Sequence, residues 1–84
     1  MAKQEVSIEQ VISDLREKFS IGKEGSRSYE NNGTFMIEKT EHERGDTIEM
    51  LLEYFDDKFI AGGRCTIEPI TLLWTVFKIE SINK

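Results

Sequence analysis

His42 and Cys65 are the side chains of this chain with the most reactive chemistry, and each is the only one of its kind. A zinc site needs two or more histidines or thiolates at helical or hairpin spacing, and His42, between Glu41 and Glu43, has no such companion. A single histidine also limits general-base chemistry, so His42 reads as a solvated loop residue. Cys65 stands in a β-prone stretch with no second thiol, where a cysteine behaves as a small buried hydrophobe instead of a nucleophile.

The remaining chemical candidates are short. Gly22-Lys23-Glu24-Gly25-Ser26 contains the Gly-Lys pair of a phosphate loop, but the leading glycine is missing and the segment follows a helix pattern instead of preceding one. Glu53, Asp56 and Asp57 are close in sequence yet lack the alternating oxygen ligands and central glycine of a calcium loop. Gly62, Gly63 and Arg64 could form a backbone nest with a guanidinium above it, which is an anion-binding arrangement; helix capping explains the same glycines. The chain is therefore expected to be no enzyme and to use no metal or cofactor.

What the sequence does offer is surface. The net charge of −5 and pI near 4.8 argue against direct binding of a phosphate backbone, which needs a basic face. Between residues 41 and 57, Glu41, Glu43, Asp46, Glu49, Glu53, Asp56 and Asp57 face only Arg44 in charge. Such a field attracts a basic partner or keeps the chain soluble. Tyr29, Met36, Trp74 and Phe77 form the aromatic and Met-rich set, but the interleaved cations that single-stranded nucleic acid requires are absent apart from Lys78. One cysteine and no long apolar run point to a reducing, cytoplasmic setting without a membrane span, so Asn32-Gly33-Thr34 is a turn and not a glycosylation site.

The elements that position these residues come from periodicity. Residues 7–22 and 47–62 resemble each other at an offset of forty positions, with Ile8, Glu9, Lys18, Phe19 and Gly22 matching Ile48, Glu49, Lys58, Phe59 and Gly62. A single domain over residues 1–84, with pseudo-repeat units 6–40 and 46–80, is the expected organisation. Ser7 and Gln10 make a capping box, with Val6 and Val11 at the staple positions. Ile8, Val11, Ile12, Leu15 and Phe19 follow as one helical stripe, giving a helix over 7–20 with Gly22 as its left-handed cap. Asp46 and Glu49 suggest a second capping pair, and Ile48, Leu51, Leu52, Phe55 and Phe59 a second stripe, giving a helix over 47–61 stopped by Gly62-Gly63.

Asn32-Gly33 as the centre of a type I′ turn sets a hairpin register of Asn31 with Thr34, Glu30 with Phe35, Tyr29 with Met36, Ser28 with Ile37, and Arg27 with Glu38 as an ion pair. A short strand from Arg64, interrupted at Pro69, and a strand over 70–79 complete the set. The last strand is apolar on both faces: Ile70, Leu72, Trp74 and Val76 on one, Leu73, Phe77 and Ile79 on the other.

The expected fold is α+β, in the order α-β-β-α-β-β, with two helices packed on one face of a four-stranded antiparallel sheet. So few elements leave an apolar sheet face uncovered, which implies a homodimer using some of Tyr29, Met36, Leu73, Phe77 and Ile79. The expected function is a small acidic protein-binding module, an inhibitor or regulator of a nucleic-acid-handling protein of the kind mobile genetic elements encode. Its partner-binding residues are Glu49, Glu53, Asp56, Asp57, Tyr29, Met36 and Phe77, and they face a basic surface. The alternative is a small-ligand binder, for an anion or nucleotide, with Gly62, Gly63 and Arg64 at a dimer or repeat junction.

Overall fold

The computed structural model describes residues 3–25, 27–38, 44–68 and 74–82. Glu41, His42, Glu43, Pro69, Ile70, Leu72 and Leu73 lie outside that set, and so do the expectations that rest on them. Among the described residues the chain is an α+β fold with two helices, a four-stranded antiparallel sheet and a small parallel sheet. Its elements are β1 (Gln4–Val6), α1 (Ile8–Lys18), β2 (Ser28–Asn31), β3 (Thr34–Glu38), α2 (Arg44–Tyr54), β4 (Lys58–Ile60), β5 (Gly63–Ile67) and β6 (Trp74–Ser81).

The first helix begins where its cap demands. Ser7 is extended, and its hydroxyl accepts the Gln10 N–H at 3.1 Å. The reciprocal half of the capping box does not form: the Gln10 side chain donates to Asp14 at 2.7 Å. Val6 and Val11 are both buried in the core, as staple residues should be. At the other end Ser20, not Gly22, takes the left-handed position, with φ of 54°. The Ser20 N–H donates to Glu17 and the Ile21 N–H to Arg16, the bond pair of a Schellman motif. The helix therefore closes before Gly22 can act.

The hairpin follows the Asn32-Gly33 signal residue for residue. Both carry positive φ, 50° and 86°, and the pairs run Asn31 with Thr34 through Ser28 with Ile37. Arg27 and Glu38 close the base at 2.8 Å.

The second helix departs from expectation. It starts at Arg44 and ends at Tyr54, so Asp46 lies inside its first turn and is no cap. Starting early changes its inward stripe to Thr47, Leu51 and Tyr54, all buried, while Leu52 is 67 % exposed. Asp56 and Asp57 follow the last turn, where the helix dipole is negative and carboxylates are disfavoured, so extension to residue 61 is opposed. Residues 58–60 instead form β4, and Phe59 is 46 % exposed. Gly62, with φ of 68°, turns the chain from β4 into β5 and caps no helix.

β4 is held by the N-terminal strand β1. Gln4, Glu5 and Val6 pair in parallel with Lys58, Phe59 and Ile60, and the Gln4 N–H donates to the Asp57 carbonyl at 2.7 Å. The sequence-matched Lys18-Phe19 and Lys58-Phe59 thus fall at a helix end and in a strand respectively.

The larger sheet runs β2-β3-β6-β5. Thr75, Phe77 and Ile79 of β6 and Phe35 and Ile37 of β3 are buried. They form one apolar cluster with Val11 and Leu15 of α1 and Leu51 and Tyr54 of α2. Phe35 and Phe77 stack at 4.8 Å in its centre, and Phe19 tilts against Phe77 at 5.5 Å.

Candidate functional site

Two surfaces and one cleft compete as the site. The first is the acidic face of α2 and the turn after it. Glu49, Glu53, Asp56 and Asp57 are all exposed, on a helix whose apolar side is fixed by Leu51 and Tyr54. Among the described residues only Asp57 has a cationic partner, Lys58 at 3.0 Å. Lys58 also sits over the Tyr54 ring at 4.9 Å. The Tyr54 hydroxyl donates to Asp14 of α1 at 2.5 Å, tying the two helices together. Burial, and then the Asp14 and Asp57 carboxylates, push the Tyr54 phenol far above its ordinary range.

The second surface is the sheet face opposite Phe35 and Phe77. Tyr29, Met36 and Val76 lie side by side across β2, β3 and β6, and Trp74 meets the Tyr29 ring at 5.9 Å. Tyr29 is 57 % exposed and Met36 37 %. Phe77 does not belong to this surface. It is 0 % exposed, because β6 alternates and residue 77 falls on the core side with Thr75 and Ile79. Ile79 is likewise buried. Around the apolar residues run three ion pairs: Arg27–Glu38, Lys78–Glu68 at 3.5 Å and Arg64–Glu80 at 2.7 Å.

The nest expected at Gly62, Gly63 and Arg64 is already occupied by the chain itself. Arg64 Nε donates to Glu80, which also accepts from Thr66 at 3.4 Å, and the Arg64 hydrogen bond holds the Glu80 carboxyl below its usual range. The Gly62 carbonyl accepts the Ile82 N–H at 3.0 Å. Gly63 is glycine for packing: a β-carbon there would stand 2.6 Å from Ile60 Cγ2. An anion would have to displace a carboxylate from Arg64.

A cleft of about 310 Å³ opens instead where the end of α1 meets the hairpin base and α2, lined in part by Lys18, Phe19, Arg27, Ile37, Glu38 and Met50. Arg27 and Glu38 satisfy each other there, while Lys18 has no ion-pair partner among the described residues. The cleft was invisible in the sequence because its walls come from α1, β3, α2 and the connector between α1 and β2. So were the Lys78–Glu68 and Arg64–Glu80 pairs, which depend on the register of β5 on β6 across residues 69–73.

Cys65 is half-buried on the core side of β5, and burial pushes its thiol up to about 11. It is a packing residue at neutral pH. Among the described residues no group of histidine, cysteine and carboxylate side chains is placed to hold a metal ion, and no helix is long and apolar enough to cross a membrane. Compared with known protein families, characterised proteins and solved structures, the chain matches none.

Proposed function

We propose that this chain is a small non-enzymatic protein-binding module, an inhibitor or regulator whose acidic α2 face meets the basic surface of a nucleic-acid-handling protein. In this reading both helices cover the inner face of the sheet and α2 turns its carboxylates outward. The observation that carries it is the exposure of Glu49, Glu53 and Asp56, none of which has an ion-pair partner among the described residues. Carboxylates left without an ion pair on α2 and the turn after it keep their field for a partner, and steering by such a field raises association rates.

The test is capture of the partner from native cytoplasm, followed by association kinetics with wild type and with the triple variant Glu49→Gln, Glu53→Gln, Asp56→Asn. Exposed changes of this kind alter stability by only about 0.5 kcal/mol. The variant should associate more slowly at low salt and show a flatter salt dependence, and bound wild type should displace nucleic acid from the partner. Equal association rates at low salt would reduce the acidic face to a solubility feature.

The cleft beside Lys18 favours one second reading, binding of a small anion with an apolar body, since 310 Å³ is at the low end of ligand-site volumes. A thermal-shift panel of aryl and alkyl carboxylates and phosphates tests it. A ligand at a hundred times its dissociation constant stabilises by about 2.7 kcal/mol, and no shift across the panel removes the reading.

A further inference from the structure

We infer that the exposed face of the four-stranded sheet binds a second copy of this chain, face to face, with Tyr29, Met36, Val76 and Trp74 at the centre of the contact. This goes beyond the acidic-face reading and does not depend on it.

The argument starts from composition. Aromatic residues and methionine are enriched at interface centres and charges at their rims, and this face has that arrangement: an apolar row across three strands, with Trp74 beside it and ion pairs around. The charge pattern then selects the partner. The chain carries −5 overall, so two copies repel through most orientations. On the sheet face, however, Arg27, Lys78 and Arg64 are matched by Glu38, Glu68 and Glu80, so among the described residues it has no net charge. On this face two identical acidic chains meet without a charge penalty. A strongly basic partner or a nucleic acid gains nothing from it, because each cation already has its carboxylate.

A two-fold axis near Met36 would place each rim of alternating sign against its own copy, the self-complementary geometry of a cyclic dimer. Size sets the strength. Four strands about 4.8 Å apart and about five residues long give a footprint of roughly 300 Å². Standard interfaces bury roughly 800 Å² per partner, so the expected dimer is reversible and dissociates on dilution.

The experiment is sedimentation equilibrium of the full chain from low to high micromolar concentration, read together with emission from Trp74, the single tryptophan. Wild type should pass from 9.7 kDa to twice that mass, with a blue shift of Trp74 emission in step. Met36→Lys and Tyr29→Lys, both at exposed positions and checked for folding by circular dichroism, should stay monomeric. Arg27→Glu, which makes the face negative on both copies, should weaken the dimer at least tenfold and more so at low salt. Arg27→Gln with Glu38→Gln, which removes the pair but keeps the face neutral, should leave it nearly unchanged.

A wild-type monomer at every concentration overturns the inference. So does a dimer whose formation leaves Trp74 emission constant, as edge-to-edge pairing through β2 would, or one indifferent to Met36→Lys. A face that captures a different protein in preference to its own copy also overturns it.

Discussion

Gly33 and Ile79 meet backbone to backbone: the Gly33 carbonyl accepts the Ile79 N–H at 2.8 Å, and a β-carbon on Gly33 would collide with the Ile79 carbonyl oxygen. The tip of the hairpin is therefore docked on the last strand, and the glycine that makes the turn also permits the docking. Glu30 adds a second lock, accepting from the Gly33 N–H at 3.0 Å and from Arg16 of α1 at 2.7 Å. Gly33→Ala should cost about 2 kcal/mol or more, from the positive φ and the collision together. Gly45, inside α2 with open space around it, is the control: Gly45→Ala should be neutral or stabilise by up to about 1 kcal/mol. Urea unfolding of the two variants checks both signs.

Ser20 is a non-glycine residue in the left-handed position of a Schellman cap and is exposed. Ser20→Gly should stabilise the chain by about 1 kcal/mol, since the β-carbon penalty disappears and the two capping bonds remain. Thermal unfolding should show a gain of about 4–8 °C, the scale for a domain of this size.

Thr75 is 1 % exposed, and its hydroxyl has no hydrogen-bond partner among the described residues. Thr47 shares that description, but the carbonyl one turn earlier belongs to Glu43, outside the described residues. Thr75→Val keeps the shape and removes an unpaired buried hydroxyl, so stability should rise by about 1 kcal/mol. A loss in chemical unfolding would mean that the hydroxyl has a partner.

Alkaline pH should weaken the fold through two groups. Burial raises the Cys65 thiol to about 11, and burial with Asp14 raises the Tyr54 phenol further. In the unfolded chain they ionise near about 8.5 and about 10. Between the unfolded and folded values the unfolded state holds fewer protons, so stability is full below about 8.5 and falls as pH rises. Cys65→Ala should flatten the first part of that decline, and Tyr54→Phe the part above about pH 10. Tyr54→Phe should also lower stability near neutrality by about 1 kcal/mol through the lost Asp14 bond. Unfolding free energies from pH 7 to 11 check the sign, and slow alkylation of Cys65 at pH 8 checks its burial.

Where neighbouring residues decide a conformation, the sequence was enough. Asn32-Gly33 requires positive φ at two successive positions, and that local demand determined the hairpin, its register, the Arg27–Glu38 pair and the opposite faces of Tyr29 and Phe35. Ser7 likewise determined the start of α1, and alternation in β6 already divided Trp74 and Val76 from Phe77 and Ile79. Where two segments compete for the same residues, only the tertiary structure decided. Residues 58–60 continue an apolar helical pattern, but β1, fifty-four positions earlier at Gln4 and Lys58, supplies ladder bonds that a helix there would forgo. Phe77 looked as free as Tyr29 until Phe35, Phe19 and Leu15 closed over it. Arg64 looked available for an anion until the register of β5 on β6 placed Glu80 against it. Local conformational preference is written in a few adjacent residues, whereas burial and charge neutralisation depend on partners that only the folded chain brings near.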